Sequence, residues 1–257
     1  MRFKDQLHRE IELPRTPERI VSLVPSQTEL LVALGLSNSV IGVTKFCIHP
    51  KGLTTTKTIV GGTKQVHYDK IKALHPDLII CNKEENTKEM VMALEAIAPV
   101  WVSDIYTIED NVQMIGQFGV IFSVASKADE LIKKINILVA DFKNFISSKP
   151  YKKVAYVIWK GPYMVAGTTT FIDHLLQLNK FENVFSELDS RYPEILVEEL
   201  KAADIVLLST EPFPFNDGDV LELKNALHKE VRLVDGEYFS WYGSRILNAL
   251  SYFKTLH

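Results

Sequence analysis

The sequence predicts an α/β fold of two lobes, each a mainly parallel sheet flanked by helices, joined by one long rigid α-helix. Three observations predict it. Strand-like and helix-like segments alternate along both halves of the chain, the pattern of parallel sheets with right-handed crossovers. The runs Leu78–Cys81 and Ile205–Leu208 are continuously apolar, as strands buried on both faces are. Finally, residues 125–149 contain no Gly or Pro and carry a helical stripe of Ala128, Leu131, Ile132, Ile135, Leu138, Val139, Phe142, Phe145 and Ile146.

In chain order, Ile20–Val24 reads as a first strand, broken at Pro25. Ser26-Gln27-Thr28-Glu29 has the form of a capping box ahead of Leu30, Leu31 and Leu34, and Gly35 ends that helix. Val40–Val43 is a second strand, Phe46 to Thr58 a loop, and Gly61-Gly62 opens another loop. Asp69–Leu74 is a short helix stopped by His75-Pro76, followed by the strand Leu78–Cys81. A helix over Thr87–Ile97, a strand over Val100–Val102 and a helix from Ile108 to Phe118 complete the first lobe, residues 1–122. The long helix takes 123–149, with Ser126 as its cap, Asp129–Lys133 and Glu130–Lys134 as i, i+4 pairs, and Pro150 as its stop. At 1.5 Å per residue it is roughly 35 Å long.

The second lobe, 150–257, repeats the programme. Val154–Trp159 is a strand, and a Gly/Pro-rich loop follows. Thr170 caps a helix running through Leu178. Val197–Ala202 is a helix, Ile205–Leu208 a strand, Val220–Leu227 a helix, Val231–Val234 a strand and Ser244–Phe253 the closing helix. IKALHPDLIIC at 71–81 answers ELKAADIVLLS at 199–209: in both, a helix turns through an Asp (Asp77, Asp204) into an apolar strand.

Composition narrows the function. The 257 residues are 46% hydrophobic and 24% charged with a net charge of −3, so no basic field for nucleic acid is present. No segment approaches the roughly 20 apolar residues of a membrane span. The first residues, MRFKDQLHREIELP, are charged throughout and lack the apolar stretch of a secretory leader. Either the protein stays inside the cell or a leader lies outside this sequence. Cys47 and Cys81 make no disulfide framework, and Cys81, ending the apolar run LIIC, reads as a buried free thiol.

In parallel α/β lobes, ligands bind at the carboxyl ends of the strands. The richest loop there is 235–247, which holds Glu237, Tyr238, Phe239, Trp241, Tyr242 and Arg245: rings with one anion and one cation, suited to a bulky ligand with polar groups. Phe239 is assigned to the core and Trp241, Tyr242 and Arg245 to the cleft. Tyr192 precedes a helix, and Trp159, Lys160, Tyr163 and Met164 lie on a Gly/Pro-rich loop, with Trp159, at a strand end, as consistent with burial as with exposure. No nucleophile elbow, phosphate-binding loop or dinucleotide fingerprint occurs. The histidines are scattered; only His49 and His67 fall in loops of the expected cleft, as weak candidates for a metal.

The order of RIVSLVPSQTELLVALGL, IGVT, GGTKQVHYDKIKALHPDLIICN, the long helix, ENVF and WYGSRIL resembles the substrate-binding proteins of ABC importers for cobalamin, iron–siderophore and haem. These are the helical-backbone metal receptors, class III periplasmic binding proteins, and the cobalamin-binding members are the most similar. The resemblance runs from Arg19 to Phe253. It implies a non-enzymatic binding protein, a monomer with no cofactor of its own, that holds a metal chelate between its lobes and delivers it to a membrane permease. It implies a periplasmic or cell-envelope location, while the charged N-terminus leaves a cytoplasmic one open. Carried over residue by residue, Phe46, Tyr163, Met164, Tyr192 and Glu237 match ligand positions of the family, whereas Thr63 and Asn82 stand where cobalamin binders have Trp. Asp69 and Glu198 match the acids that dock to permease arginines, Asp69 with a shorter reach than the usual Glu. Three rivals remain open: an intracellular sensor of the same fold, a chelatase-like enzyme, and a direct metal binder using His49, His67 and Glu237.

Overall fold

The computed structural model describes residues 1–257. The chain divides into two compact units, Met1–Asn136 with Tyr242–Ile246, and Ile137–Trp241 with Leu247–His257. Residues 242–246, read from sequence as part of the second lobe, therefore pack in the first unit, and the division falls inside the long helix.

The first unit opens with an antiparallel hairpin of β1 (Arg2–Lys4) and β2 (Glu10–Glu12), which the sequence reading did not resolve. Then come β3 (Ile20–Ser22), α1 (Pro25–Ala33), β4 (Val40–Val43), the single turn α2 (Leu53–Thr56), β5 (Thr58–Ile59), α3 (Tyr68–Ala73), β6 (Leu78–Asn82), α4 (Lys88–Glu95), β7 (Val100–Ser103) and α5 (Ile108–Ile121). The strands form one parallel sheet in the order β5-β4-β3-β6-β7. Val21, Ile79, Cys81, Val100 and Val102 are buried with Ile71, Met90 and Leu94 of the covering helices. The segment after β1 covers the outer edge of β7: Gln6 N–H donates to Val102 O (3.3 Å), Val102 N–H to Asp5 Oδ2 (3.2 Å) and Arg9 Nη2 to Val100 O (2.9 Å). An edge so satisfied cannot pair with another chain.

The capping box predicted at Ser26 does not form. The helix begins at Pro25, with Val24 as its N-cap and no side-chain cap bond. Proline at the first position already sets the helical φ, and Glu29 is used elsewhere, as shown below. At α5, by contrast, Thr107 and Asp110 do form a reciprocal cap.

Helix α6 runs over Ala125–Ile146, starting one residue before the predicted cap Ser126. Its predicted stripe is the buried one: Ala128, Leu131, Ile135, Phe142 and Ile146 are each at most 9% exposed. Lys134 and Glu130 pair on the outer face at 2.7 Å.

The second unit continues with β8 (Lys152–Trp159), β9 (Tyr163–Val165), α7 (Phe171–Leu178), β10 (Phe181–Asn183), β11 (Glu194–Ile195), a 3₁₀ turn Val197–Ala202, β12 (Ile205–Ser209), α8 (Asp217–Leu227), β13 (Glu230–Val234), the short α9 (Glu237–Ser240), a 3₁₀ turn Gly243–Arg245 that belongs to the first unit, and α10 (Ile246–Lys254). Strands β10, β8, β12 and β13 are parallel, while β9 pairs antiparallel with β8 and β11 antiparallel with β9. These short added strands escape the sequence reading because two or three residues cannot show a period of two. Tyr156, Phe239, Phe253 and Phe142 are fully buried and linked ring to ring at 4.9, 4.8 and 6.1 Å. Each such side chain contributes about 1.5–3 kcal/mol relative to exposure.

The Asp-turn-strand match between the halves has a shared mechanism. Asp77 accepts from Glu18 N–H (3.0 Å) and Arg19 N–H (3.1 Å) at the entry of β3, and returns its own N–H to Arg19 O (2.8 Å). Asp204 accepts from Lys153 N–H (3.1 Å) at the start of β8 and returns its N–H to Lys153 O (2.8 Å). In each unit an aspartate ties the mouth of one central strand to the beginning of its neighbour.

Candidate functional site

The carboxyl ends of the strands define one candidate edge in each unit. At the first edge, Gln27 of α1 donates through Nε2 to Ser103 Oγ (2.5 Å) and Tyr242 Oη (2.9 Å). Asn82, at the end of β6, donates to the same Ser103 Oγ (2.9 Å) and accepts through Oδ1 from Glu84 N–H (2.8 Å) and Glu85 N–H (3.1 Å). Asn86 Oδ1 accepts from Asn82 N–H (2.8 Å), and Asn86 Nδ2 donates to Thr63 O (2.8 Å). Burial raises the Tyr242 phenol, with the charge of Glu85 adding to the effect. These amides and hydroxyls lace the loops after β5, β6 and β7 to one another.

Three residues that the sequence analysis places at the ligand site are buried here. Asn82 is 4% exposed and its side chain serves the loop it begins. Tyr242 is 5% exposed and Arg245 7%, and both hold the return of the chain onto the first unit. Arg245 makes a bidentate ion pair with Glu29 of α1, with Nε and Nη2 each 2.9 Å from a carboxylate oxygen. Between them, Gly243 N–H donates to Asn111 Oδ1 (2.6 Å) and Asn111 Nδ2 to Gly243 O (3.3 Å). Gly243 has φ +80°, and a Cβ there would lie 3.1 Å from Leu30 Cβ and from Ser26 O. Only glycine fits that approach without strain.

Phe46 is what this edge offers to solvent. It is 48% exposed on the loop after β4, its ring lies against the backbone of Gly62, and Lys45 Nζ sits 4.9 Å from the ring centroid. Thr63 is half-buried and His49 likewise; His67 and Asp69, at the start of α3, are exposed.

At the second edge, Glu211 in the loop after β12 is largely buried. It accepts from Trp241 Nε1 (3.0 Å) and from the Ser240 hydroxyl. Burial raises its carboxyl above the ordinary range, and the charges of Glu237 and Asp235 push the same way against those hydrogen bonds. A side chain at Gly236 would collide with Ser209 and Glu211, so the 236–240 turn lies directly on that loop. Trp241 is 8% exposed and donates its indole N–H to Glu211. Glu237 is half-buried at the start of α9.

Tyr163 and Met164 lie on β9, opposite Ile195 and Glu194 of β11, and are half-buried, as is Tyr192. Burial raises the Tyr163 phenol. Glu198 is exposed in the first turn of the 3₁₀ segment. The residue left open by the sequence, Trp159, ends β8 and is 39% exposed; its ring meets Phe213 edge-on at 5.5 Å. Phe213, Glu211, Gln27, Ser103 and Asn111 were not singled out in the sequence. The only signal for Phe213 is its place in a Pro-containing loop after a buried strand.

Cys47 and Cys81 are both free and buried, Cys81 as expected. No group of three or more His, Cys, Asp or Glu side chains is placed to hold a metal ion, so His49 and His67 gain no support as ligands. A pocket of about 360 Å³ lies elsewhere, at the amino end of β7, where Arg9 is already bound to Asp5, Glu95 and Val100 O.

The model of the periplasmic binding protein family matches residues 20–222, most of the chain. The chain belongs to that family. Among relatives, the chain is 26% identical over 196 residues to an uncharacterized ABC transporter substrate-binding lipoprotein of Bacillus subtilis, a match covering 71% of this chain and 60% of that relative. The chain thus spans about three-fifths of that relative's length. A vitamin B12-binding protein of Vibrio parahaemolyticus is 23% identical over 239 residues, 91% of this chain and 86% of the relative. The crystal structure of a periplasmic heme binding protein from Pseudomonas aeruginosa has the same fold, with a TM-score of 0.79 and 23% identity over 93% of this chain and 92% of that one. No helix of this family member is long and apolar enough to cross a membrane.

Proposed function

We propose that the protein is the substrate-binding component of an ABC importer and that its cargo is a metal chelate: a corrinoid, haem or a ferric siderophore. The observation that carries the reading is the pair of exposed aromatic rings, Phe46 and Trp159, each held at the carboxyl edge of its own sheet. In parallel α/β units that edge is where ligands bind. Family membership and the names of the relatives support a binding role. The chelate class is favoured over cobalamin itself because Thr63 and the buried Asn82 occupy positions where the sequence reading expects tryptophans in cobalamin binders.

On this reading the protein acts without catalysis, as a monomer at the cell envelope. Asp69 and Glu198, both exposed, present the carboxylates that meet permease arginines. Thermal melting with cobalamin, cobinamide, haem and several ferric siderophores tests it. A ligand at 100 times its Kd adds about 2.7 kcal/mol, a rise of about 5–10 °C for a chain of this size. At least one of these should produce that rise; a panel of flat melting curves at saturating concentrations defeats the reading. With a binder in hand, Asp69→Ala and Glu198→Ala should leave its affinity unchanged and abolish uptake through the permease.

A further inference from the structure

We infer that the loop between α6 and β8, residues 147–153, with Lys180 beside it, is a contact surface for an anionic phospholipid bilayer. The inference goes beyond the function proposed above and does not depend on the cargo.

The loop reads Ser147-Ser148-Lys149-Pro150-Tyr151-Lys152-Lys153. Tyr151 is 71% exposed, more than any other large apolar or aromatic side chain. The backbone beneath it is ordered. Lys180, in the turn before β10, donates through Nζ to Ser147 O (2.6 Å) and Lys149 O (3.1 Å). The same ammonium lies 5.3 Å from the centroid of the Tyr151 ring. Lys152 N–H donates to Lys180 O (3.1 Å) where β8 begins its pairing with β10.

The charge around the loop is one-sided. Lys254 pairs with Asp141 and Arg232 with Glu230, each at 2.6 Å. Lys149, Lys152, Lys153 and Lys180 have no carboxylate partner. Asp204, the acid nearest in the pairing, accepts the Lys153 backbone N–H instead (3.1 Å). His257 lies between Phe145 and Phe181, with ring centroids 6.3 and 4.9 Å away. Burial lowers its imidazole, and Lys152, Lys149 and Arg232 lower it further, as a locally positive field does. Closing the carboxyl end of α6 accounts for Lys180, whose ammonium meets the carbonyls that follow the helix. It accounts for neither Lys152, Lys153 nor the open ring of Tyr151.

A phenol standing among unpaired ammonium groups suits the headgroup layer of an anionic bilayer. The ring sits at the interface and the lysines meet lipid phosphates. The whole chain has a net charge of −3, so a polyanion long enough to wrap it is repelled elsewhere, whereas a flat surface meets this loop alone. Lys152 begins β8 and Trp159 ends it. At the usual rise, about 23 Å of strand separates the two. A bilayer met at the loop therefore leaves the carboxyl edge of the second sheet open.

Co-sedimentation with large unilamellar vesicles tests the inference. The protein should bind vesicles of equal parts phosphatidylglycerol and phosphatidylcholine and should not bind phosphatidylcholine alone. It should leave the anionic vesicles at about 1 M salt, where the screening length is about 3 Å. Lys152→Glu/Lys153→Glu should weaken binding about twentyfold or more, and Tyr151→Ser several-fold. Lys72→Glu/Lys88→Glu, the same change of charge on exposed residues of α3 and α4, should weaken it no more than about threefold. Equal binding to both vesicle types, equal loss in the two double variants, unchanged binding of Tyr151→Ser, or no binding to either vesicle overturns the inference. Displacement by soluble glycerol phosphate also overturns it, because the lysines would then serve a free phosphate. The melting experiments on cargo are read without lipid, so none of these results bears on them.

Discussion

The two sheets end in loops laced by different chemistry. At the first edge the buried partners are amides and hydroxyls, Gln27, Asn82, Asn86, Asn111, Ser103 and Tyr242, joined by the compensated pair Glu29–Arg245. At the second edge a carboxylate, Glu211, sits under Ser240 and Trp241 with Glu237 and Asp235 near it. A neutral network has no carboxyl to titrate, while at the second edge burial, with Glu237 and Asp235 near, raises the Glu211 carboxyl above its ordinary value. The first edge is thus expected to be rigid and indifferent to pH, and the second to be stable only where its carboxyl is comfortable.

The largest effect should come from breaking the first edge at its ion pair. Arg245→Ala leaves the Glu29 carboxylate in a site that is 21% exposed, without the bidentate partner. Removing one member of a buried pair costs about 3 kcal/mol. Urea unfolding of the ligand-free protein should show that loss. A loss of ligand affinity at unchanged stability would instead return Arg245 to the role the sequence suggested.

The next test concerns what the units share. Asp77→Ala and Asp204→Ala each remove a carboxylate that fastens two strand ends, at about 1–2 kcal/mol apiece. Burial alone would raise Asp77, but the N–H groups of Glu18 and Arg19 and the Arg15 guanidinium hold it below the ordinary value. Its contribution is therefore present above pH 3.8, the unshifted value, and is lost as pH falls through the lowered one. Asp77→Ala should cost stability at pH 7 and less at pH 3 in urea titrations; equal costs at both would show that its charge is immaterial.

Which features could be read in the sequence follows from range. The parallel strands, the stripe of α6 and the Asp-turn-strand units rest on contacts close in sequence or on periodicity, and the structure has them. Tyr242 and Arg245 were misplaced because their partners, Gln27 and Glu29, lie more than 200 residues away. Nothing in WYGSRIL says which lobe it serves. Ser26 was misread because a capping box and a proline-started helix share the same letters, and the difference lies in where Glu29 points. Trp159 could not be decided because the last residue of an apolar strand is buried or exposed according to a register shift that only pairing reveals.

A milder test removes the titrating group of the second edge. Glu211 is raised above 4.5, so its contribution is full below that value and is lost as pH rises through the raised one. Glu211→Gln keeps an acceptor for Ser240 and Trp241 without the charge. It should melt higher than wild type at pH 8, by about 1 kcal/mol or less, and lower or equal at pH 4.5. A variant less stable at both pH values would show that the carboxylate is needed as an anion, and the contrast between the edges would fall.

A last test concerns His257, whose burial acts on stability in the opposite direction along the pH scale. Its ring stacks on Phe181 at 4.9 Å, and its nitrogen lies 3.3 Å from Asn179 Oδ1. Partial burial, with Lys152, Lys149 and Arg232 nearby, lowers it from 6.5 to about 4. The folded unit thus favours the neutral ring. Stability from this source is present above pH 6.5 and is lost as pH falls toward 4, where the unfolded chain takes up the proton first. His257→Phe should flatten the acid limb, followed by the Trp241 resonance of fluorotryptophan-labelled protein, and leave the Trp101 signal of the first unit unmoved. A shift of both signals together would mean that the two units melt as one, and the pH contrast would then belong to the whole chain.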